Sequence, residues 1–153
     1  MKNVKSRKEN IEFFIKNICF KIDEPMKKRI LIIDDEPDVA LTLKVVLEEN
    51  GFEVDSFTDS LLALKHFKEA DYIYDLLILD IKMPQMNGFE LYKEIRKLDD
   101  KVKVCFLSAL TELKDYEAFR KEVFPKWGER YFIQKPIEND DMLKRINTIM
   151  GPI

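Results

Sequence analysis

The stretch ILIIDDEP, residues Ile30–Pro37, decides the fold of this chain. Its four apolar residues run continuously into acid, as in a β-strand buried on both faces, and the strand is predicted over Ile30–Asp34. Pro37 falls in the first turn of a helix predicted over residues 37–50, and Gly51 comes just past the end of that helix. A buried strand that leads directly into a helix is the repeating unit of a parallel α/β sheet.

The alternation of strand and helix continues along the rest of the chain. Further strands are predicted over Glu53–Phe57, Leu76–Asp80, Val102–Leu107 and Tyr131–Gln134. Apolar residues at helical spacing predict a helix after each of them, with these inward-facing sets: Leu61, Leu64 and Phe67; Leu91, Tyr92, Ile95 and Leu98; Leu113, Tyr116, Phe119 and Val123; Met142, Ile146 and Ile149. Five βα units with short connections predict an α/β fold, a doubly wound five-stranded parallel sheet with helices on both faces.

Polar residues of a restricted set stand where the predicted strands end. Asp34 and Asp35 close the first strand, Asp80 closes the third, Ser108 closes the fourth, and Lys135 follows the fifth. In a doubly wound sheet the ligand site lies outside the carboxyl ends of the strands, where the strand order reverses. We therefore expect these five side chains to converge on one edge of the sheet.

The residue types at this edge indicate metal-assisted phosphoryl chemistry. Two carboxylates about 4 Å apart repel by about 4 kcal/mol at an effective dielectric constant near 20, so a cation is expected among the three aspartates. Few carboxylates with room for water favour Mg²⁺, while Lys135 and Ser108 can bind phosphoryl oxygens. Asp80 stands alone at its strand end and is the best candidate nucleophile, which would form an aspartyl phosphate.

These motifs together resemble the receiver domain of two-component response regulators, over residues 29–150. The resemblance is carried by ILIIDDEP, by LDIKMP at residues 79–84 with Gly88, by Ser108-Ala109, and by QKP at residues 134–136. It implies a flavodoxin-like sheet with strand order 2-1-3-4-5, and phosphorylation of Asp80 by a histidine kinase or phosphotransfer protein. It also implies Mg²⁺ held by Asp35 and Asp80, by Asp34 through water, and by the backbone carbonyl of Lys82.

The resemblance further implies a switch that follows phosphorylation. Ser108 would move toward the phosphoryl group and Phe132 would turn inward behind it. The face made by the helix after the fourth strand, the fifth strand and the last helix would then change its partners. Phe132 stands where the family often has tyrosine, and Ser108 stands where threonine is commoner. The chain also looks longer than typical around residues 124–128, so that Trp127 either decorates this face or packs on the core.

Composition limits the remaining possibilities. A chain of 153 residues with 46% hydrophobic content fits one domain, and its net charge of −3 divides into +4 for residues 1–28 and −7 for the remainder. An acidic domain is not expected to bind nucleic acid directly. Cys19 and Cys105 lack metal or disulfide spacing and are interpreted as buried, reduced thiols; His66 is interpreted as solvated. No apolar run is long enough to span a membrane, so a cytoplasmic location is expected.

Residues 1–28 are predicted to be an N-terminal extension, either helical or disordered. Apolar residues at helical spacing, from Ile11 to Ile22, would give a helix that docks on the receiver, pairs two chains or touches a membrane surface. Met26 stands directly before the receiver, so the segment could also come from a misplaced start. Residues 151–153 are predicted to be a tail, which favours a stand-alone receiver. We expect this receiver to be a monomer or a switchable dimer, to dephosphorylate itself slowly and to act on an unidentified downstream protein.

Two other functions remain open at this point. One is a receiver-like binding module that works without phosphorylation. The other is an Mg²⁺-dependent phosphohydrolase with an aspartate nucleophile, although the DxDx[TV] pattern of such enzymes is absent after the first strand and no cap domain is visible. A flavodoxin-like cofactor binder would need a phosphate-cradling loop after the first strand, where Asp34, Asp35 and Glu36 would repel phosphate.

Overall fold

The structure is a computed structural model that describes residues 3–22, 26–71, 73–109, 117–118, 121 and 132–151. Its strands are β1 (Arg29–Ile33), β2 (Glu53–Phe57), β3 (Leu76–Asp80), β4 (Lys103–Ser108) and β5 (Phe132–Gln134). Its helices are α1 (Asn3–Ile22), α2 (Pro37–Glu49), α3 (Ser60–Glu69), α4 (Gly88–Leu98) and α5 (Asn139–Met150).

The five strands form one parallel sheet in the order β2-β1-β3-β4-β5, which confirms the predicted fold class and strand order. The register pairs Ile33 with Leu79, Asp80 with Leu107, and Ser108 with Gln134. The strand ends therefore lie side by side at one edge, and the residues that follow each strand are carried to that edge together.

Two hydrophobic layers cover the faces of the sheet. Successive β1 residues point to opposite faces, so Leu31 and Ile33 join the layer beneath α3 and α4, while Ile30 and Ile32 join the layer beneath α2 and α5. All four of these side chains are fully buried. This double burial explains why β1 is a continuous apolar run instead of an alternating one.

The predicted boundaries differ from the observed ones by about one residue, within the usual uncertainty of element ends. The first strand covers Arg29–Ile33 and leaves Asp34 just beyond it, and the fourth covers Lys103–Ser108. The helix predicted around Leu113 to Val123 lies mostly outside the described residues. Trp127 and the rest of the lengthened segment lie outside them entirely.

Two helix caps hold the loops at the carboxyl edge of the sheet. Asp59 accepts hydrogen bonds from the backbone N–H groups of Leu61 and Leu62 at the start of α3. Asn87 and Glu90 bond reciprocally to each other's backbone N–H in a capping box at the start of α4. The second cap fixes the loop that follows Asp80.

The structure bears on three further predictions. The N-terminal extension contains a 20-residue helix, α1, and the large apolar side chains described within residues 7–18 are exposed. Cys105 is free and buried, as predicted, and burial raises the pKa of its thiol to about 12. Among the helices of the described chain, none is both long enough and apolar enough to span a bilayer.

Candidate functional site

Three carboxylates meet at the carboxyl edge of the sheet, where the sequence predicted them. Asp34 and Asp35 follow β1, and Asp80 ends β3, the neighbouring strand. One carboxylate oxygen from each lies within 4.8 Å of the others. Asp34 is fully buried, Asp80 is 5% exposed and Asp35 is half-buried, so the cluster opens to solvent on the Asp35 side.

Lys135 supplies positive charge to the cluster. Its Nζ donates to Oδ2 of Asp34 at 2.8 Å and lies 3.3 Å from Oδ1 of Asp80 and 3.7 Å from Oε1 of Glu36. The backbone N–H of Lys135 donates to the carbonyl of Ser108, which ties the end of β5 to the end of β4. The lysine is thus positioned by the sheet as well as by its ion pairs.

One lysine does not balance this much negative charge. Burial, the charge of Asp34 and a hydrogen bond with Asp35 raise the pKa of Asp80 to about 8, against the opposing pull of Lys135. Burial alone would lower the pKa of Lys135, but its hydrogen bond to Asp34 and the charge of Asp80 outweigh burial and raise it. Without a further cation, Asp80 tends to keep its proton. A cation bound among the three aspartates would favour the ionised carboxylate.

Asp34 is held in place from two sides. Its Oδ1 accepts a hydrogen bond from the backbone N–H of Glu36, and its own N–H donates to the carbonyl of Phe57 at the end of β2. Its Oδ2 is engaged by Lys135. A carboxylate this constrained is better suited to orienting Lys135 and a metal-bound water than to attacking a substrate.

A cavity of about 560 Å³ opens over the cluster. Asp35, Asp80 and Lys135 line it, together with Lys82, Met83 and Pro84 from the loop after β3. Lys82 is an exposed residue that lines this cavity. The residue whose backbone carbonyl was predicted as a metal ligand therefore lies at the site. Ser108 ends β4 next to Asp80's strand and is half-buried at the same edge.

The loop after Asp80 depends on a close approach at Gly88. The N–H of Gly88 donates to the carbonyl of Ile81 at 2.8 Å. A Cβ at this position would lie 2.3 Å from the backbone oxygen of Asp80, which no side chain tolerates. The first turn of α4 therefore packs directly against the backbone of the candidate nucleophile.

Phe132 is 8% exposed and already points inward in this structure. Its ring stacks on Phe106 of β4, with centroids 5.1 Å apart, and Phe106 also contacts Phe89 and Tyr92 of α4 edge to face. The aromatic layer behind the site thus links β5 to α4. The inward position predicted to follow phosphorylation is the one that the structure shows.

The prediction that His66 is simply solvated is wrong. His66 is half-buried on α3, and its Nε2 lies 2.6 Å from the hydroxyl of Tyr74. Tyr74 in turn donates to Oδ2 of Asp55 at 2.5 Å, which obliges Nε2 of His66 to donate to the tyrosine oxygen. Burial and this bond to Asp55 raise the pKa of Tyr74, so its hydroxyl stays protonated. The network lies away from the acidic cluster.

The donor set at the cluster fits Mg²⁺. Hard oxygen ligands in small number, on an open cavity that admits water and phosphate oxygens, are what this ion prefers. Asp35 and Asp80 would hold it directly, and Asp34, which already binds Lys135, would act through a water. The observation that supports this assignment is geometric: carboxylate oxygens of three aspartates lie within 4.8 Å of one another beside an open cavity, and Lys135 pairs with two of them, Asp34 and Asp80.

Sequence reasoning found the charged members of the site and missed one neighbour. Glu36 reaches toward Lys135 and lines the cavity, although it was considered only as part of the motif and as an acid that would repel phosphate. Its position directly after two aspartates at a strand end was the available signal. The backbone carbonyl of Lys82 and the hydroxyl of Ser108 remain predictions as ligands.

Comparison with known proteins places this geometry in a family. A family model described as "Response regulator receiver domain" matches residues 30–147. The chemotaxis protein CheY of Thermotoga maritima is 33% identical over 125 residues, which cover 81% of this chain and 98% of that protein. The transcriptional regulatory protein RprY of Bacteroides fragilis is 30% identical over 130 residues, or 84% of this chain, but the match spans only about half, 52%, of its length.

Solved structures agree with the sequence matches. A response regulator receiver domain protein from Clostridium thermocellum superposes with a TM-score of 0.70 at 30% identity, covering 80% of this chain and 94% of that one. The fold, the position of the acidic cluster and the matching sequences therefore all indicate the same family.

Proposed function

The chain belongs to the response regulator receiver family, and from this premise we propose that it is a phosphorylation-dependent signalling switch in which Asp80 accepts a phosphoryl group. Receiver domains are signalling modules, not dedicated metabolic enzymes; they generally bind Mg²⁺ at an acidic pocket and interact with histidine kinases or phosphotransfer proteins. The proposal assigns these roles to particular residues of this chain.

The observation that carries the proposal is the charge imbalance around Asp80. Three carboxylates lie within 4.8 Å of one another beside a cavity of about 560 Å³, and Lys135 pairs with two of them, Asp34 and Asp80. A site built only for stability would be expected to pair its buried charges. An unbalanced acidic cluster beside an open cavity is instead suited to a reaction that brings its own cation and its own phosphate.

In the proposed reaction, an oxygen of the Asp80 carboxylate attacks the phosphorus of a phosphohistidine on the donor protein. The P–N bond breaks, the histidine nitrogen leaves with the bonding electrons, and an acyl phosphate remains on Asp80. Lys135, 3.3 Å from Asp80 and held by Asp34, neutralises charge on the transferring oxygens. Bound Mg²⁺ would supply further electrostatic stabilisation and keep the Asp80 carboxylate ionised.

The switch is proposed to follow from the charge that the phosphoryl group adds. A phosphoryl group adds about −1.5 to −2 charges near neutral pH, with new acceptor oxygens for Ser108 and Lys135. Movement of Ser108 at the end of β4 would stabilise the inward Phe132, because Phe132 pairs with Phe106 on that strand. Coupling free energies of about 1 to 3 kcal/mol suffice to change a partner's affinity 5-fold to 150-fold.

The output surface proposed from the family resemblance is the face of the helix after β4, β5 and α5. Of this face, the described residues include β5 and α5. We propose a stand-alone receiver that signals by protein contacts, supported by the match over 98% of the CheY protein. A cytoplasmic location, a slow autodephosphorylation and a monomer or switchable dimer belong to the same proposal.

The test uses a small phosphodonor, so that no cognate kinase is needed. Incubation with acetyl phosphate and Mg²⁺ should label the chain with one phosphoryl group through a hydroxylamine-sensitive bond. Asp80→Asn should abolish the label, while Asp75→Asn, at an aspartate outside the site, should leave it intact. Labelling that survives in Asp80→Asn would move the nucleophile elsewhere.

Two results would favour the other functions. Steady turnover of a small phosphomonoester, faster than the label decays, would indicate a phosphohydrolase. A folded, Mg²⁺-binding protein that never takes up the label would indicate a receiver-like binding module.

A further inference from the structure

Glu36 stands where the candidate phosphoryl site meets solvent. It lies directly before α2, and its side chain is 65% exposed. Its Oε1 is 3.7 Å from Nζ of Lys135, the lysine that also pairs with Asp34 and Asp80. The residue lines the cavity of about 560 Å³ that opens over the acidic cluster. The negative charge of Glu36 therefore borders the space that a phosphodonor must enter.

The backbone of Glu36 is held in place, but its carboxylate does not cap the helix that follows. Its N–H donates to Oδ1 of Asp34, and its carbonyl accepts from the N–H of Ala40 in the first turn of α2. Residues at this position commonly accept a helical N–H with a side-chain oxygen, and Glu36 makes no such bond to α2. The glutamate therefore contributes its charge to the cavity without contributing a cap.

The charge of Glu36 alters the balance of the site once Mg²⁺ is bound. Besides Glu36, the charged residues that line the cavity within the described chain are Asp35, Asp80, Lys82 and Lys135. Asp34 completes the cluster and is fully buried. Three aspartates, two lysines and a divalent ion would leave one unit of positive charge in excess, which would attract any small anion. The charge of Glu36 cancels this excess.

We propose that Glu36 makes the site discriminate between phosphodonors by their charge. It disfavours dianionic donors such as acyl phosphates relative to donors that carry the phosphoryl group on a protonated nitrogen. The inference rests on the proposed function of Asp80 as the phosphoryl acceptor. A fixed charge repels a dianion with twice the energy with which it repels a monoanion. At a separation of about 8 Å and a dielectric constant of about 80, each unit of donor charge changes the affinity about twofold.

Acetyl phosphate and phosphoramidate differ in charge near neutral pH. Acetyl phosphate is a dianion, whereas phosphoramidate is protonated on nitrogen and is a monoanion. With both donors, an oxygen of the Asp80 carboxylate forms the new bond to phosphorus. The P–O bond of acetyl phosphate breaks and acetate leaves with the bonding electrons, while the P–N bond of phosphoramidate breaks and ammonia leaves with them. Because the acceptor is the same, a change in the ratio of the two labelling rates reports the effect of donor charge.

The test compares the wild type with Glu36→Gln at low ionic strength and saturating Mg²⁺. The second-order rate constant for labelling should rise about fourfold with acetyl phosphate but only about twofold with phosphoramidate. In a separate titration without donor, followed by amide NMR, the variant should bind Mg²⁺ about fourfold more weakly, because it has lost a negative charge. These differences should disappear at about 1 M salt, where the screening length is roughly 3 Å.

Two further variants serve as controls. Glu36→Asp keeps the charge and should keep the wild-type ratio of the two rates. Asp38→Asn removes an equal charge from the first turn of α2, outside the lining of the phosphoryl cavity, and should leave the rates and the Mg²⁺ affinity near those of the wild type.

The outcomes separate this inference from the proposed function. Equal changes with both donors in Glu36→Gln would show that Glu36 only positions Lys135, and they would overturn the proposed discrimination. Unchanged rates in a wild type and a variant that are both labelled would overturn it as well. A wild type that neither donor labels would instead contradict the proposed function of Asp80, and the inference would fall with it.

Discussion

Two polar clusters lie on the same sheet and differ in how their charges are balanced. In the first, Asp34, Asp35 and Asp80 cluster at the carboxyl edge, and Lys135 pairs with Asp34 and Asp80. In the second, Asp55 of β2 accepts from Tyr74, and His66 completes the chain of hydrogen bonds.

Arg29 shows why the second cluster is self-contained. Its Nη2 lies 3.4 Å from Asp55, and its guanidinium lies 5.8 Å from the centre of the Tyr74 ring. Each acid or hydroxyl in that cluster therefore has a partner within the chain. The acidic edge lacks such balance, which agrees with the proposal that it binds a cation and accepts a phosphoryl group, whereas the second cluster stabilises the fold.

The largest structural effect is expected at Gly88, which supports the acidic edge. Gly88→Ala would force a Cβ against the backbone oxygen of Asp80 and should lower the free energy of unfolding by about 3 kcal/mol. Urea denaturation measures this change. Gly51→Ala is the control: Gly51 has a positive φ but open space around it, so the cost should be only about 1 kcal/mol. Equal costs at the two glycines would contradict the close packing at Asp80.

Asp80→Asn should stabilise the protein in the absence of metal, by roughly 1 to 3 kcal/mol above neutral pH. The raised pKa of Asp80 means that the folded state keeps a proton that the unfolded state has lost between about pH 4 and pH 8. The stability that the folded wild type gains from this proton is therefore fully present below about pH 4 and is lost as the pH rises through about 8.

Thermal unfolding in EDTA at several pH values measures this dependence. The stability of the wild type should fall between pH 5 and pH 8 relative to Asp80→Asn, and Mg²⁺ should stabilise the wild type more than the variant. Asp55→Asn, in the balanced cluster, should destabilise the fold because it weakens the contacts with Tyr74 and Arg29, and Mg²⁺ should stabilise this variant as much as the wild type. A wild type and an Asp80→Asn variant with parallel pH profiles would mean that the acidic edge is already balanced.

Tyr74→Phe should have the smallest effect, and only on stability. It removes the donor to Asp55 and the acceptor for His66, which should cost about 1 to 2 kcal/mol. Phosphoryl labelling from acetyl phosphate should be unchanged, because the network does not touch the acidic edge. A slower labelling rate in a variant of unchanged fold would show that the two clusters are coupled.

The fold was predictable because its strands are chemically simple. Strands β1 and β3 are buried on both faces, so their apolar runs are continuous, and the acids at their ends mark the carboxyl edge. The position of the charged residues could be predicted from that edge alone. Parallel strands bring their ends together whatever the loops do.

The parts that escaped prediction depend on contacts that no local pattern encodes. His66, Tyr74 and Asp55 meet across separations of 8 and 19 residues, and each looked like an ordinary polar residue in its own segment. A charged residue in the middle of a strand, as Asp55 is, was the one available hint. The approach of Gly88 to Asp80 likewise appears only when α4 is placed against the sheet.

The central claim, that a cation lets the Asp80 carboxylate receive a phosphoryl group, is tested most directly with beryllium fluoride, a phosphoryl mimic that needs no turnover. Fluorine NMR should show one bound beryllium fluoride per chain when Mg²⁺ is present, none after EDTA, and none in Asp80→Asn. Failure of the folded wild type to bind beryllium fluoride in saturating Mg²⁺, or equal binding by Asp80→Asn, would contradict the account.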